Sequence, residues 1–145
     1  MSYRFIDVGE VEPLFNGRIR PVRKALEIES FGVNEFDLPA DSTTYPEHDE
    51  LKTGQDELFV VLEGEGLLLL GDEEYKVKPG HVIARPPGTG VAHTFQGAGS
   101  GLTLLAYGTR RSADLCFYPR SSKISFRGLG VIGRISCVDY WDGEE

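Results

Sequence analysis

The sequence predicts an all-β fold, a barrel or sandwich of short antiparallel strands. Three observations support this: the apolar runs are short, glycine and proline separate them, and no apolar stripe recurs at helical spacing over several turns. A chain of 145 residues with 40% hydrophobic content can bury one core without disulfides or structural metals. We therefore expect a single domain over residues 1–145.

The strands are expected to begin near residue 19. Between residues 19 and 38 the runs IRPV, ALEIE and FGVNEFDL are separated by Pro21 and Gly32, and each predicts a strand. Residues 39–44 are rich in Pro, Asp and Ser, which favour turns over continued strand pairing. This loop is expected to lead the chain to His48.

The middle of the chain predicts an antiparallel meander. Residues 58–62 are apolar on both faces, so we expect a strand that is covered on both sides. Gly64–Gly66 predicts a tight turn into the next strand, Leu67–Leu70. Further turns at 71–74 and 78–80 separate strand-like runs, which continue at 81–84, 91–96, 102–107, 115–118, 124–127 and 131–138.

The composition excludes several classes of protein. A formal charge of -8 argues against a nucleic-acid partner, because such proteins concentrate Lys and Arg on one face. The N-terminal residues lack the basic and apolar regions of a secretory signal, and no apolar run reaches the roughly 20 residues that span a bilayer. We expect a cytoplasmic protein with no membrane partner, in which Cys116 and Cys137 are buried thiols.

Metal-ligand residue types precede the buried strand. His48 and Glu50 are separated by one residue, so in an extended segment both side chains project to the same face. Glu57 opens the following strand, and a carboxylate beside a core needs a partner or a metal. His93 follows a Pro/Gly corner further along the chain. If these faces point into one barrel, two imidazoles and one or two carboxylates meet there.

Two histidines and a carboxylate suit Fe(II), Mn(II), Ni(II) or Zn(II). The alternative is a solvated acidic loop at 47–57 together with an ordinary hydrogen-bonded His93. His81 follows a turn glycine, which favours an exposed side chain. Arg85 is either a surface charge, the position we favour, or an inward-pointing anchor for an anionic substrate.

At these residues the chain resembles the cupin superfamily, over roughly residues 36–107. Glu57 and Gly64 keep the six-residue gap of the first cupin motif, and His48 occupies its first histidine position. In the second motif Gly80, Pro86 and Gly88 fit, followed by His93. The resemblance implies a double-stranded β-helix, a small jelly-roll-like barrel, whose sheets are extended by the N- and C-terminal strands.

The resemblance also implies a divalent metal held by His48, Glu57 and His93. Glu50 stands at the second motif histidine, as a fourth ligand or as a catalytic proton carrier, and Gly97 replaces the motif asparagine. Cupins that keep these ligands commonly act as dioxygenases, isomerases or decarboxylases, whereas those with eroded ligands often bind or sense small molecules. We expect a metal-dependent enzyme on a small organic substrate, with the sensing module as the alternative, and a homodimer.

Overall fold

The computed structural model describes residues 3–144, which confirm the all-β prediction. These residues contain ten strands: β1 (Ile19–Arg20), β2 (Phe31–Leu38), β3 (Asp49–Glu50), β4 (Glu57–Leu70), β5 (Glu73–Val77), β6 (Val82–Arg85), β7 (His93–Thr109), β8 (Leu115–Tyr118), β9 (Lys123–Phe126) and β10 (Val131–Gly133). One α-helix within this range, α1 (Val22–Leu26), and three 3-10 turns at Val8–Glu10, Pro119–Ser121 and Arg127–Leu129 complete the elements. No helix of residues 3–144 is long and apolar enough to cross a membrane.

The strands form two antiparallel sheets. The larger sheet has the order β1-β2-β7-β4-β5, with β6 also paired to β4. The smaller sheet has the order β10-β9-β8-β3. The long strands β4 and β7 pair along almost their whole length and form the centre of the larger sheet.

The hydrophobic core lies on the inner face of the larger sheet. Alternate residues of β2, β4 and β7 point inwards, as period-two patterning requires, and the aromatic rings of Phe59 and Phe95 pack at 4.7 Å between centroids. The buried cluster consists of Ile19, Phe36, Leu38, Phe59, Val61, Leu68, Val77, Phe95, Leu102, Leu104 and Ala106. This rigid face positions the residues at the ends of β4 and β7.

Two predicted features of the backbone are wrong. Residues 64–66 make no tight turn; β4 continues through them, and its register against β7 shifts around Gly64, which has a φ of +77°. Glycine tolerates this left-handed conformation, so a local bulge replaces the turn. In the same way, the two runs at 91–96 and 102–107 join into the single strand β7.

The predicted strand at 25–29 is also wrong, because α1 ends with Glu27 in the left-handed conformation. The prediction that residues 58–62 are buried on both faces of their strand is also wrong. Phe59 and Val61 are buried, but Leu58 and Leu62 on the outer face are 38% and 42% exposed. Cys116 is buried as predicted, whereas Cys137 is exposed because it follows the last strand.

Candidate metal centre

A cavity of about 490 Å³ lies between the two sheets. His48, Glu50, Glu57 and Phe59 line it from the loop before β3, from β3 and from β4. Residues of α1, β2, β7, β8, β9 and β10 and of the connecting loops complete the wall. Its volume lies within the range of small-molecule sites, roughly 300–1,000 Å³.

The two motif histidines are direct neighbours. The backbone N–H of His48 donates to the carbonyl of His93 at 3.1 Å, and the N–H of His93 donates to the carbonyl of His48 at 2.8 Å. This bridge sets the rings side by side, with centroids 4.7 Å apart. His48 and His93 are distant in the sequence, and this antiparallel bridge brings them together.

Glu57 joins the two histidines. Its Oε2 atom lies 3.1 Å from Nε2 of His93. The same oxygen is buried and has no hydrogen-bond partner among the described residues. One ligand atom each from His48, Glu57 and His93 lies within 4.8 Å of the others. A buried carboxylate oxygen without a partner is costly unless a cation completes it, so these residues fit a metal ion.

His48 has the surroundings of a metal ligand. Its Nδ1 atom lies 2.8 Å from the carbonyl oxygen of Pro46 and donates to it, which leaves the Nε2 lone pair free. Burial, followed by the proximity of His93, lowers the pKa of His48 below its ordinary value. The neutral ring that results is the form that binds metals.

Arg85 lies inside the protein and not on its surface, so the surface interpretation was wrong. The side chain is buried, and its guanidinium forms an ion pair with Asp49 at 2.8 Å. Its Nε atom donates to Nδ1 of His93 at 3.2 Å, and its other donors reach the carbonyl oxygens of Pro86 and Val91. Arg85 therefore holds the His93 ring in place through the Nδ1 atom of that ring.

Glu50 lies beside the histidine and glutamate cluster. Its Oε1 atom is 3.8 Å from Nε2 of His48, and its side chain is almost fully buried. Burial, followed by the charges of Glu57 and Asp114, raises the pKa of Glu50 from its ordinary 4.5 to about 8. A carboxyl group held in this way carries a proton near neutral pH, unless a cation nearby displaces it.

The sequence interpretation assigned no chemistry to the chain beyond residue 110, yet that segment forms part of the cavity wall. Asp114, Cys116 and Tyr118 alternate along β8 and its approach, and all three face the cavity. Cys116 pairs directly with Glu50 across the sheet. Together with His48 these two residues form a second group of potential ligands. Their period-two spacing, which places all three on one face of a strand, is the sequence signal that could have identified them.

His81, in contrast, is exposed, as predicted. It precedes β6 at the turn and is not among the residues that line the cavity. The structure thus separates the three histidines into a buried pair and one exposed residue. It brings His48, Glu50, Glu57 and His93 together, and the first three of these line the cavity.

The comparisons with known proteins agree with this fold. A family model described as Cupin domain matches residues 35–106. No match was found among curated proteins.

Several solved structures share the architecture. A sugar phosphate isomerase of the cupin superfamily from Silicibacter pomeroyi aligns with a TM-score of 0.79 and 23% identity, over 90% of this chain and 92% of its own. The polyketide cyclase RemF from Streptomyces resistomycificus aligns at 0.62 with 22% identity, over 74% and 80% of the two chains. A cupin protein from Bacteroides fragilis aligns at 0.60 with 16% identity, over 78% and 88%. At these identities the likeness concerns the fold.

Proposed function

Because this chain belongs to the cupin superfamily, we propose that it is a metal-dependent enzyme that acts on a small organic molecule in its barrel. One observation carries the proposal. The buried Oε2 of Glu57 has no hydrogen-bond partner and lies among the ligand atoms of His48 and His93, beside a cavity large enough for a substrate. Fold alone does not assign the activity, so the argument rests on this site.

His48, Glu57 and His93 would hold the ion. The donor set of imidazole and carboxylate suits Fe(II), Mn(II), Ni(II) or Zn(II). When bound, such an ion polarises a substrate oxygen. The protein contributes the buried position, the fixed rings and the free Nε2 lone pair of His48.

Glu50 is placed to move a proton. Its carboxyl group lies in the cavity wall, and its Oε1 is 3.8 Å from the His48 ring. Oε2 accepts a hydrogen bond from the backbone N–H of Gln55 at 3.3 Å, which fixes the carboxyl group. A fixed carboxyl group beside a polarised substrate favours proton transfer, and so an isomerase or decarboxylase over a dioxygenase.

A second pair of polar groups in the cavity wall, Asn34 and Tyr45, would orient the substrate, and the Tyr45 ring lies 6.2 Å from that of His48. The Nδ2 atom of Asn34 donates to the hydroxyl of Tyr45 at 2.9 Å. Burial raises the pKa of Tyr45 to about 12, so the phenol stays protonated. It can therefore donate a hydrogen bond to a substrate oxygen without becoming charged.

A non-enzymatic ligand-binding or sensing role is the second candidate. A sensor needs a surface that contacts a partner, and the segment after β9 offers an apolar one. Its exposed side chains are Leu129, Val131, Ile132, Ile135, Val138, Tyr140 and Trp141. Exposed apolar patches of this kind mark interaction sites.

The test uses protein reconstituted with each of the four metals and a panel of small hydroxy-carbonyl and carboxylate compounds. NMR in deuterated water detects the proton exchange of an isomerase. A carbon dioxide sensor detects decarboxylation, and an oxygen sensor detects dioxygenation. We expect metal-dependent deuterium incorporation or carbon dioxide release that Glu50→Gln abolishes while its metal content persists. Substrate-dependent oxygen uptake would instead assign a dioxygenase, and binding without turnover in every metal form would favour the sensor.

A further inference from the structure

Positive side chains line the cavity of a strongly negative protein. The chain has a net charge of -8, yet five basic residues lie in the wall of this one cavity. They come from α1, from the end of β7, from β9 and from the turn after β9: Arg23, Lys24, Arg110, Lys123 and Arg127. Segments far apart in sequence thus bring positive charge to one place.

Most of these charges have no carboxylate partner. Arg127 pairs with Asp114 at 2.5 Å. Within residues 3–144, no carboxylate oxygen lies within 4.0 Å of the charged nitrogens of the other four. Arg23 donates instead to the carbonyl of Ile28, and Lys123 lies over the Tyr118 ring at 5.3 Å.

This arrangement is unfavourable without a ligand. Like charges that line one concave wall repel one another, and low-dielectric surroundings focus their field into the cavity. The wall also contains the carboxyl groups of Glu50, Glu57 and Asp114, so its five basic residues leave a positive excess in a chain that has 23 acidic residues. The geometry points to a substrate that carries an anionic group, a phosphate or a carboxylate, held by these side chains.

The inference rests on the proposed function, because it assigns this anion to the substrate of the metal site. Three of the proposed metal-site residues, His48, Glu50 and Glu57, line the same cavity as the five basic residues. A substrate would therefore present a neutral oxygen to the metal ligands and its anionic group to the basic residues. Guanidinium groups match the geometry of phosphate and carboxylate oxygens, so both are suitable partners.

Lys24 and Arg110 are the residues to test because both are exposed and their loss should leave the fold intact. The test variant is Lys24→Gln/Arg110→Gln. The matched control is Lys76→Gln/Lys78→Gln, which removes the same two charges from exposed positions outside the cavity wall. Calorimetric titration measures the binding of glycerol 3-phosphate, malate and glycerol to both metal-loaded and metal-free protein.

We expect at least one of the two anions to bind saturably at concentrations up to about 10 mM, and glycerol not to bind. Binding should be about fivefold weaker in the cavity variant, as for two partly exposed charge pairs, and unchanged in the control. Added salt should weaken it in the wild type. The stronger of the two anions distinguishes a phosphate ester from a carboxylate.

The inference is overturned if neither anion binds saturably to the wild type, or if the cavity variant and the control bind equally well. A failure of the proposed function gives a different result. In that case the protein takes up no metal, while the metal-free form still binds the anion in a manner that depends on Lys24 and Arg110.

Discussion

The Nε atom of Arg85 donates a hydrogen bond to Nδ1 of His93 at 3.2 Å, and both side chains are buried. A guanidinium only donates, so Nδ1 of His93 accepts this hydrogen bond, which fixes the ring with Nε2 towards Oε2 of Glu57. His48 is held in a different way, because its Nδ1 donates to the carbonyl of Pro46. Arg85 therefore fixes the orientation of one ligand ring, and we propose that it positions His93 for metal binding.

The ion pair between Arg85 and Asp49 should dominate the stability effect of changing either residue. Both side chains are more than nine-tenths buried and lie 2.8 Å apart. Arg85→Met leaves a buried carboxylate without its partner, which should lower the free energy of unfolding by about 3–5 kcal/mol. Chemical denaturation of metal-free protein measures this change.

Asp49→Asn and the double variant complete the cycle. The double variant should lose less free energy of unfolding than the two single variants lose in total, because it leaves no unpaired buried charge. Additive effects would show that the two residues do not act as a pair. A loss of stability below about 1 kcal/mol in Arg85→Met would place the pair among exposed ones.

Glu57→Gln should weaken metal binding without unfolding the protein. The amide keeps the shape of the side chain but removes the negative charge that a divalent ion requires. We expect affinity to fall by at least about tenfold, as measured by competition with a chromogenic chelator. The control is Glu63→Gln on the same strand, which is exposed and should bind metal like the wild type. Equal affinity in both variants would remove Glu57 from the site.

The raised pKa of Glu50 predicts a pH dependence of stability in the metal-free protein. Its folded value of about 8 exceeds the ordinary 4.5, so the folded state holds a proton that the unfolded state releases. The stabilisation is complete below about pH 4.5 and is lost as pH rises through about 8. Between pH 5.5 and 8.5, roughly that window, the wild type should lose more stability than Glu50→Gln.

Denaturant titrations in the presence of a chelator measure this difference. Both proteins share every other titrating group, so the difference between their slopes isolates Glu50. Parallel slopes would show that the carboxyl group is ionised in the fold at neutral pH.

A homodimer is predicted through the outer face of β4 and β6. Leu58 and Leu62 are partly exposed there, and Val82 of the paired strand is 62% exposed. A second copy would cover this flat apolar face. Sedimentation at tens of micromolar, where a standard-size interface normally holds, should show a dimer, and Leu62→Glu/Val82→Glu should give a monomer.

The exposed C-terminal segment provides the control for this experiment. Ile135→Glu/Val138→Glu adds the same two charges at apolar positions that are also exposed. If this variant dissociates the dimer and the sheet variant does not, the interface lies on the C-terminal segment. A monomeric wild type would contradict the prediction altogether.

The inner positions of the barrel could be predicted from the sequence because they follow period-two parity. Glu57, Phe59 and Val61 share one face, and the structure places the last two in the core and the first at the cavity. The convergence of His48 and His93 required more than parity. It depends on a non-local bridge that only the motif order of the resemblance indicated.

Other features depend on tertiary context that parity does not contain. Arg85 is buried because Asp49, on another strand, neutralises it, and no local pattern records that partner. The helix α1 has only five residues, which is too short for apolar periodicity to reveal. Gly64 serves as a bulge because β7 continues beside it, whereas glycine in isolation suggests a turn.

Metal analysis of the three histidine variants tests the central claim most directly. After reconstitution with each of Fe(II), Mn(II), Ni(II) and Zn(II), elemental mass spectrometry gives the ions bound per chain. We predict about one ion per chain in the wild type and in His81→Ala, and loss of that ion in folded His48→Ala and His93→Ala. Unchanged metal content in both buried-histidine variants, or a wild type that remains empty with all four metals, would contradict the account.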